Sequence, residues 1–280
     1  MIRISPFTPL FFNPSTDGTG QWCRYVQTFS PSDHIFLEIL AEISDVAPYV
    51  ELINHISGVT DTVTLDSWNI NATTIIYHHI FKGLPLGCYT VKVDGVESEL
   101  FQITDDANVL AETTLLQYSM KDNRSRTDVA FNINNVRYFF DFRIPGGFKD
   151  NGWTFSVEGE QFVTSQADII PLFALESTQK MLTVGGQIGC PIWFAEMLNR
   201  LLCCDYVYVE GERFCRKETS VPEVTETIEG SRSFVFKQLL QKVVYTDPKI
   251  EDANLLQFRR VEPDYRCVDS QDETLNLRSV

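Results

Sequence analysis

Three dipeptides constrain this chain more than any other feature. Asp94-Gly95, Asn134-Asn135 and Glu210-Gly211 each sit between two runs rich in apolar and β-branched residues. Such pairs tolerate positive φ at the two central positions of a tight turn, and that turn matches the right-handed twist of paired strands. Each therefore predicts an antiparallel hairpin, and together they point to a mainly β fold built from local pairings.

The rest of the chain fits around those hairpins. Residues 1 to about 34 read as an entry strand and an irregular arm, with turn material at Pro6, Pro9, Pro14, Asp17-Gly18 and Gly20. In the apolar run Ile35 to Ile43, period-two spacing puts Leu37, Ile39, Ala41 and Ile43 on one face of a strand. Runs at 49–53, 59–65, 73–81, 88–93 and 99–104 continue as short strands, which predicts a β-sandwich-like domain over 1–105. Asp105-Asp106-Ala107-Asn108 marks its boundary.

A second, β-rich domain is expected over 106–245. Strands are read at 115–120, 129–133, 136–144, 153–162 and 180–184, then in a hairpin at 206–216 and a closing strand at 233–245. Pro145-Gly146-Gly147 is expected to end the run before it, and the apolar stretch 168–175 has no decisive period. One helix is predicted, over 191–204, with Pro191 at its first position. Glu196, Asn199, Arg200 and Cys203 give it one narrow polar stripe, so the helix should be largely enclosed and should plug this domain's core. The polar stretch 246–280, broken by Pro248 and Pro263, reads as an extended C-terminal arm.

Charge and composition exclude several roles. A net charge of −15 argues against phosphate neutralisation on nucleic acid and against adhesion to anionic membranes. No run approaches the ~18 apolar residues of a membrane span, and the first residues lack the basic and apolar regions of a secretory leader. Synthesis in a cytoplasm is the expectation. The seven cysteines (23, 88, 190, 203, 204, 215 and 267) follow no framework spacing, so they are read as reduced thiols.

No catalytic, cofactor-binding or metal-binding residue is assigned. His78 and His79 are adjacent in a strand and point to opposite faces, and the other two histidines, His34 and His55, stand apart in sequence. Gly185-Gly186-Gln187-Ile188-Gly189 before the helix lacks the lysine and spacing of a phosphate loop, and Pro191 removes a donor. A glycosidase pair would need two carboxylates about 5–9 Å apart in a cleft, which spacing alone does not reveal. Trp22, Trp68 and Tyr77 could stack on sugar rings but are read first as packing residues. Asn71 and Asn123 lie in glycosylation sequons, which carry no consequence in a cytoplasm.

Several phrases occur together in one family. They are Leu84-Pro-Leu-Gly-Cys-Tyr89, Ser98-Glu-Leu-Phe101 with Asp105-Asp106, Leu116-Gln-Tyr-Ser119 and Phe142-Arg-Ile-Pro-Gly-Gly-Phe148. Gln161-Phe162, Leu182-Thr-Val-Gly185, Pro191-Ile-Trp-Phe194 with Leu198-Asn199, and Val221-Pro-Glu223 follow in order. The chain resembles tail structural proteins, of distal-tail or baseplate type, from phages and prophages of Bacteroides-type bacteria. The resemblance covers most of the chain and is weaker before 80 and after 246. It implies a virion protein without catalysis or cofactor. It further implies assembly with itself, six-fold in preference to three-fold, and with other tail proteins. The alternative reading is a carbohydrate- or receptor-binding β-sandwich module.

Overall fold

The computed structural model describes residues 2–12, 25–186, 189–217, 223–227 and 233–243. The expected arm at 246–280, Trp22, Cys23 and Cys267 lie outside the described residues. The first half contains β1 (Arg3–Ile4), β2 (Gln27–Phe29), β3 (Ile35–Glu42), β4 (Val50–Asn54) and β5 (Thr60–Thr62). It continues with β6 (Asp66–Asn69), β7 (Thr74–Phe81), β8 (Gly87–Val93), β9 (Val96–Glu97) and β10 (Phe101–Ile103). After the short helix α1 (Ala107–Ala111) come β11 (Thr113–Ser119), β12 (Asn132–Ile133), β13 (Val136–Arg137), β14 (Phe140–Val163) and β15 (Ile169–Val184). Helix α2 (Trp193–Leu201), β16 (Tyr206–Val209), β17 (Glu212–Arg216), β18 (Glu223–Glu226) and β19 (Phe234–Lys242) complete the fold.

The fold is mainly β, as the hairpin signals predict. All three dipeptides adopt the positive φ that their turns require: Asp94 46° and Gly95 89°, Asn134 53° and Asn135 62°, Glu210 50° and Gly211 83°. Glu210 tolerates this conformation while its carboxylate accepts a hydrogen bond from the Leu115 N–H at 2.6 Å.

In the first half, sheet β1-β3-β7-β6 faces sheet β2-β10-β8-β4-β5 across a core that includes Phe29, Leu37, Ile39, Val91 and Phe101. In the second half the ladder β15-β14-β11-β16-β17-β19 returns to its start, because β19 also pairs with β15. Six antiparallel strands thus close into a barrel, with β18 appended to β19. Closure leaves these strands no open edge along their paired lengths.

Helix α2 contributes Phe194, Met197, Leu198 and Leu201 to the barrel's core, where they meet Phe142, Val209, Phe214 and Leu240. It is shorter and less enclosed than the sequence suggests. Pro191 precedes the N-cap residue Ile192, which is itself exposed, and Trp193 and Leu202 are only half-buried. The last turn tightens, with the Cys203 and Cys204 N–H groups donating to the Arg200 and Leu201 carbonyls. One wide face packs inward and the other meets solvent, the ordinary surface-helix pattern.

Other departures from the sequence reading have local causes. The Asp105–Asn108 boundary forms the one-turn helix α1, capped by Asp106, whose side chain accepts from the Asn108 N–H. The expected strand at 129–133 pairs only at Asn132–Ile133. Side chains take the ladder's place there: Asn123 Oδ1 accepts from the Phe131 and Asn132 N–H groups, and Glu38 Oε2 from that of Ala130. The expected strand at 59–65 divides into β5 and β6. Pro145-Gly146-Gly147 does not end its run; β14 passes straight through it. Gly146 has φ +92°, and a Cβ there would lie 2.4 Å from the Thr183 carbonyl oxygen, so glycine permits the close passage of β15.

Strand β3 is buried on both faces. Ile35, Leu37 and Ile39 point into the sandwich core, as the period-two reading expects. On the other face Phe36 stacks on Phe140 at 4.1 Å and joins the barrel's core, while Leu40 packs with Ile76, Ala130 and Ile133. Phe7 also belongs to the barrel's core, and the Tyr118 hydroxyl donates to its carbonyl.

Leu201 is 0 % exposed in that core. Leu201→Ala is expected to destabilise the protein by about 2–5 kcal/mol, through lost transfer energy and a residual cavity. Urea denaturation measures this directly, and a loss below about 1 kcal/mol would place the helix outside the core.

Candidate assembly surface

The most unusual feature grows out of the barrel. β14 last pairs with β11 at Pro145, and β15 first meets β19 at Gln179. Between Phe155↔Thr178 and Val163↔Ile169 the two strands pair only with each other. The result is a two-stranded ribbon about 30 Å long, at ~3.4 Å per residue. Its tip is a tight loop in which the Thr164 hydroxyl accepts from the Asp168 N–H and Ala167 takes φ +63°. The undecided stretch 168–175 is one side of this ribbon.

The ribbon carries exposed apolar side chains on both faces. Trp153, Phe155 and Val157 alternate along β14, and cross-strand partners share a face, so these three share one side of the ribbon. Phe173 opposite Glu160, Leu175 two residues on, and Phe162 opposite Ile170 occupy the other side. Phe155 is 74 % exposed, Val157 70 % and Phe173 55 %. Of nineteen exposed large hydrophobics among the described residues, ten fall here: 153, 155, 157, 162, 163, 169, 170, 172, 173 and 175. The other nine are spread over 43–96, 192 and 224. A concentration of this kind makes the ribbon the candidate contact surface of the described residues.

The ribbon's root is held firmly. The Lys180 ammonium lies 3.6 Å from the Trp153 ring centroid and 4.9 Å from that of Phe148, and it pairs with Glu212 at 3.5 Å. Glu212 also pairs with Lys242 at 2.8 Å, tying β15, β17 and β19 together beneath the projection.

A second cluster lies at the junction of the two halves. Arg143 on β14 donates through Nε and Nη2 to the Asp33 carboxylate at 2.8 and 2.9 Å. Next to it the buried Asp141 accepts from the His34 N–H at 2.9 Å and from Gln117 Nε2 at 3.0 Å. Burial, with the Asp33 carboxylate second, pushes Asp141 up to about 7. Deeper in the junction Glu38 is fully buried, and desolvation raises it well above the usual carboxylate range. The acids are sealed between packed layers, with Asp33 3 % and Asp141 5 % exposed, so no sugar ring reaches them. Sequence reasoning missed this cluster. The available signal was an acid inside an apolar strand, as in Phe139-Phe140-Asp141-Phe142 and Leu37-Glu38-Ile39.

The structure disperses the other residues singled out in the sequence. His78 is buried and stacks on Phe36, while His79 faces Phe81 and the Thr64 carbonyl. Trp68 packs against Leu40 and Ile76, and Tyr77 against the sandwich core, so neither offers an open stacking platform. Gly185 and Gly189 let the chain pass close to Phe234, where added Cβ atoms would meet its carbonyl oxygen at 2.6 Å and its nitrogen at 3.1 Å. Asn71 and Asn123 cap turns with their side chains. Burial, then Cys203 and Asp205, push the Cys204 thiol up to about 12, which makes it a poor nucleophile. No group of three or more metal-ligating side chains is gathered among the described residues. No described helix is long and apolar enough to cross a membrane. A groove of about 210 Å³ between the first residues and α2, where Phe11 stacks on Trp193, is smaller than an ordinary small-molecule site.

Compared with known proteins, the chain matches no family model and none of the curated sequences.

The junction titrates in a defined direction. Asp141 in the folded chain lies above its unfolded value of about 3.9. Its contribution to stability is therefore full below about pH 4 and is lost as pH rises through about 7. Asp141→Asn keeps an acceptor for the His34 N–H, and the Gln117 amide can turn its unpartnered oxygen toward the new NH₂. Between pH 5 and pH 8 the wild type should lose at least ~1 kcal/mol relative to this variant, at 1.36 kcal/mol per pKa unit. Thermal melts at both pH values check it, and a constant difference refutes the assignment.

Proposed function

We propose that the chain is a structural subunit of a phage tail, a distal-tail, baseplate or adaptor component that works by symmetric assembly and not by catalysis. The observation that carries this reading is the projecting ribbon. An element with exposed phenylalanines on both faces, anchored at its root by an aromatic–lysine contact, is built to be covered by another molecule.

Two further points support it. The turn and packing phrases on which the resemblance to tail proteins rests lie at structural positions: Leu84–Tyr89 enters β8, Phe142–Phe148 carries the glycine passage, and Pro191–Phe194 opens the helix. The strongly acidic chain also suits a surface along which DNA passes without sticking.

In this reading the partners are other copies of the chain and neighbouring tail proteins, six copies being favoured over three. Purified virions provide the test. Mass spectrometry should find the chain in the particle, and cryo-EM of the tail should find it in a ring. Absence from the virion, or one copy per tail, overturns the proposal. Specific glycan binding by the intact protein without virion incorporation would support the receptor-module reading instead.

A further inference from the structure

We infer that the seam between sandwich and barrel is a proton-operated joint, clamped in acid and opening locally as pH rises to neutrality while each half keeps its own fold. The inference is independent of the proposed role in a phage tail.

The groups that decide it cross the seam. Asp33 and His34, in the turn that leads into β3, belong to the sandwich half, whereas Gln117 on β11 and Asp141 and Arg143 on β14 belong to the barrel. Two buried carboxyls, Asp33 and Asp141, face one guanidinium there. Arg143 is committed to the first: Nε and Nη2 donate to Asp33, and Nη1 donates to the Thr113 hydroxyl at 3.2 Å. Asp33 accepts a further bond from the Ser30 N–H at 2.8 Å. Asp141 is left with neutral donors, the His34 N–H and Gln117 Nε2. A second negative charge in this packed layer would have no cation of its own and would face Asp33, so the closed seam favours a protonated Asp141. Gln117 can serve that proton. Its Oε1 is buried without a partner, and turning the amide brings it to the place held by Nε2, 3.0 Å from Asp141.

The other charged groups around the seam leave the sign unchanged. Burial first, and Lys82 second, hold the His34 ring toward its neutral form. Glu210 lies beyond Arg143 and adds only negative potential. Further along the seam Glu38 is fully buried with its Oε1 unpartnered, and burial raises it as well. It stands opposite His78 on β7, near the Tyr118 hydroxyl and near Asp128, which is already paired with Arg126. A histidine gains charge toward acid, where the clamp is already closed.

Opening has a defined place to happen. The sandwich and the barrel share no sheet, and each has a core of its own. Lifting the Asp33–His34 turn and Phe36 from β14 returns Asp141 to water while both ladders stay paired. A carboxyl that is protonated when closed and ionised when open releases one proton per opening. The clamp is therefore full below about pH 4 and is lost as pH rises through about 7, the open fraction growing about tenfold per pH unit between them. Exposing Glu38 in the same motion would steepen the rise.

Hydrogen exchange followed by NMR on the full chain, from pH 4 to pH 8 and corrected for the intrinsic pH dependence of exchange, provides the test. Protection of the His34 N–H should fall at least tenfold per pH unit up to about pH 7. At pH 7 it should be at least tenfold lower than that of amides in β8 of the sandwich and β17 of the barrel, which marks opening without unfolding. Asp141→Asn should take one tenfold step per pH unit out of the His34 slope, and Asp141→Asn combined with Glu38→Gln should leave it flat. Circular dichroism melts verify that the variants fold; if either does not, the wild-type comparison of His34 with β8 and β17 still decides. His34 protection indifferent to pH, protection equal to that of β8 and β17 at every pH, or an unchanged slope in Asp141→Asn overturns the inference.

Discussion

The structure depends on one strand having two insides. β3 presents Ile35, Leu37 and Ile39 to the sandwich, and Phe36 and Leu40 to the layers behind it. A strand covered on both faces has no solvent side to relax into, so its register fixes two cores together. Phe36 on Phe140 is the contact through which the halves recognise each other, and the bidentate Asp33–Arg143 pair fixes their rotation beside it. Such a charge pair, with side chains 2 % and 11 % exposed, adds geometric specificity more than net stability.

That arrangement explains the acidic groups in the junction. A one-sided β3 would have left position 38 in water, where a glutamate is unremarkable. With a second layer packed against it, the same residue lies in the interior and satisfies the Ala130 N–H, which no strand partner serves. Asp141 does the parallel service for the His34 N–H. Both carboxyls stand in for missing ladder bonds where two sheets meet without sharing strands.

Much of this was legible in the sequence, and what was not has physical reasons. The three tight turns, the period-two face of β3 and the burial of Leu198 and Leu201 follow from local chemistry, because φ preference and apolar spacing act over a few residues. Barrel closure was not legible, since the pairing of β19 with β15 joins segments some sixty residues apart and leaves no local mark. The ribbon was hidden for another reason. Its residues alternate poorly because both faces carry apolar side chains, so the period-two signal vanishes over 168–175 where the strand is longest. Pro145-Gly146-Gly147 misled because a glycine pair reads as a terminus, whereas here it makes room for a crossing strand. The second face of β3 was invisible because Phe36 and Leu40 fit any hydrophobic strand.

The late position of β19 in the barrel bears on how the chain matures. During synthesis the sandwich strands leave the ribosome first, and their two sheets pair only among themselves between Arg3 and Ile103, so that half can condense early. The barrel has no such option. β15 and β17 each wait for the strand that lies between them, and the phenylalanines at 142, 194 and 214 stay open to solvent until it arrives. A chain that has emerged from the ribosome only as far as residues 216 to 234 would therefore hold a half-built core with bare strand edges beside an already hydrophobic ribbon. In a crowded polysome, that exposed apolar ribbon would then be the first point of misassembly between nascent neighbours.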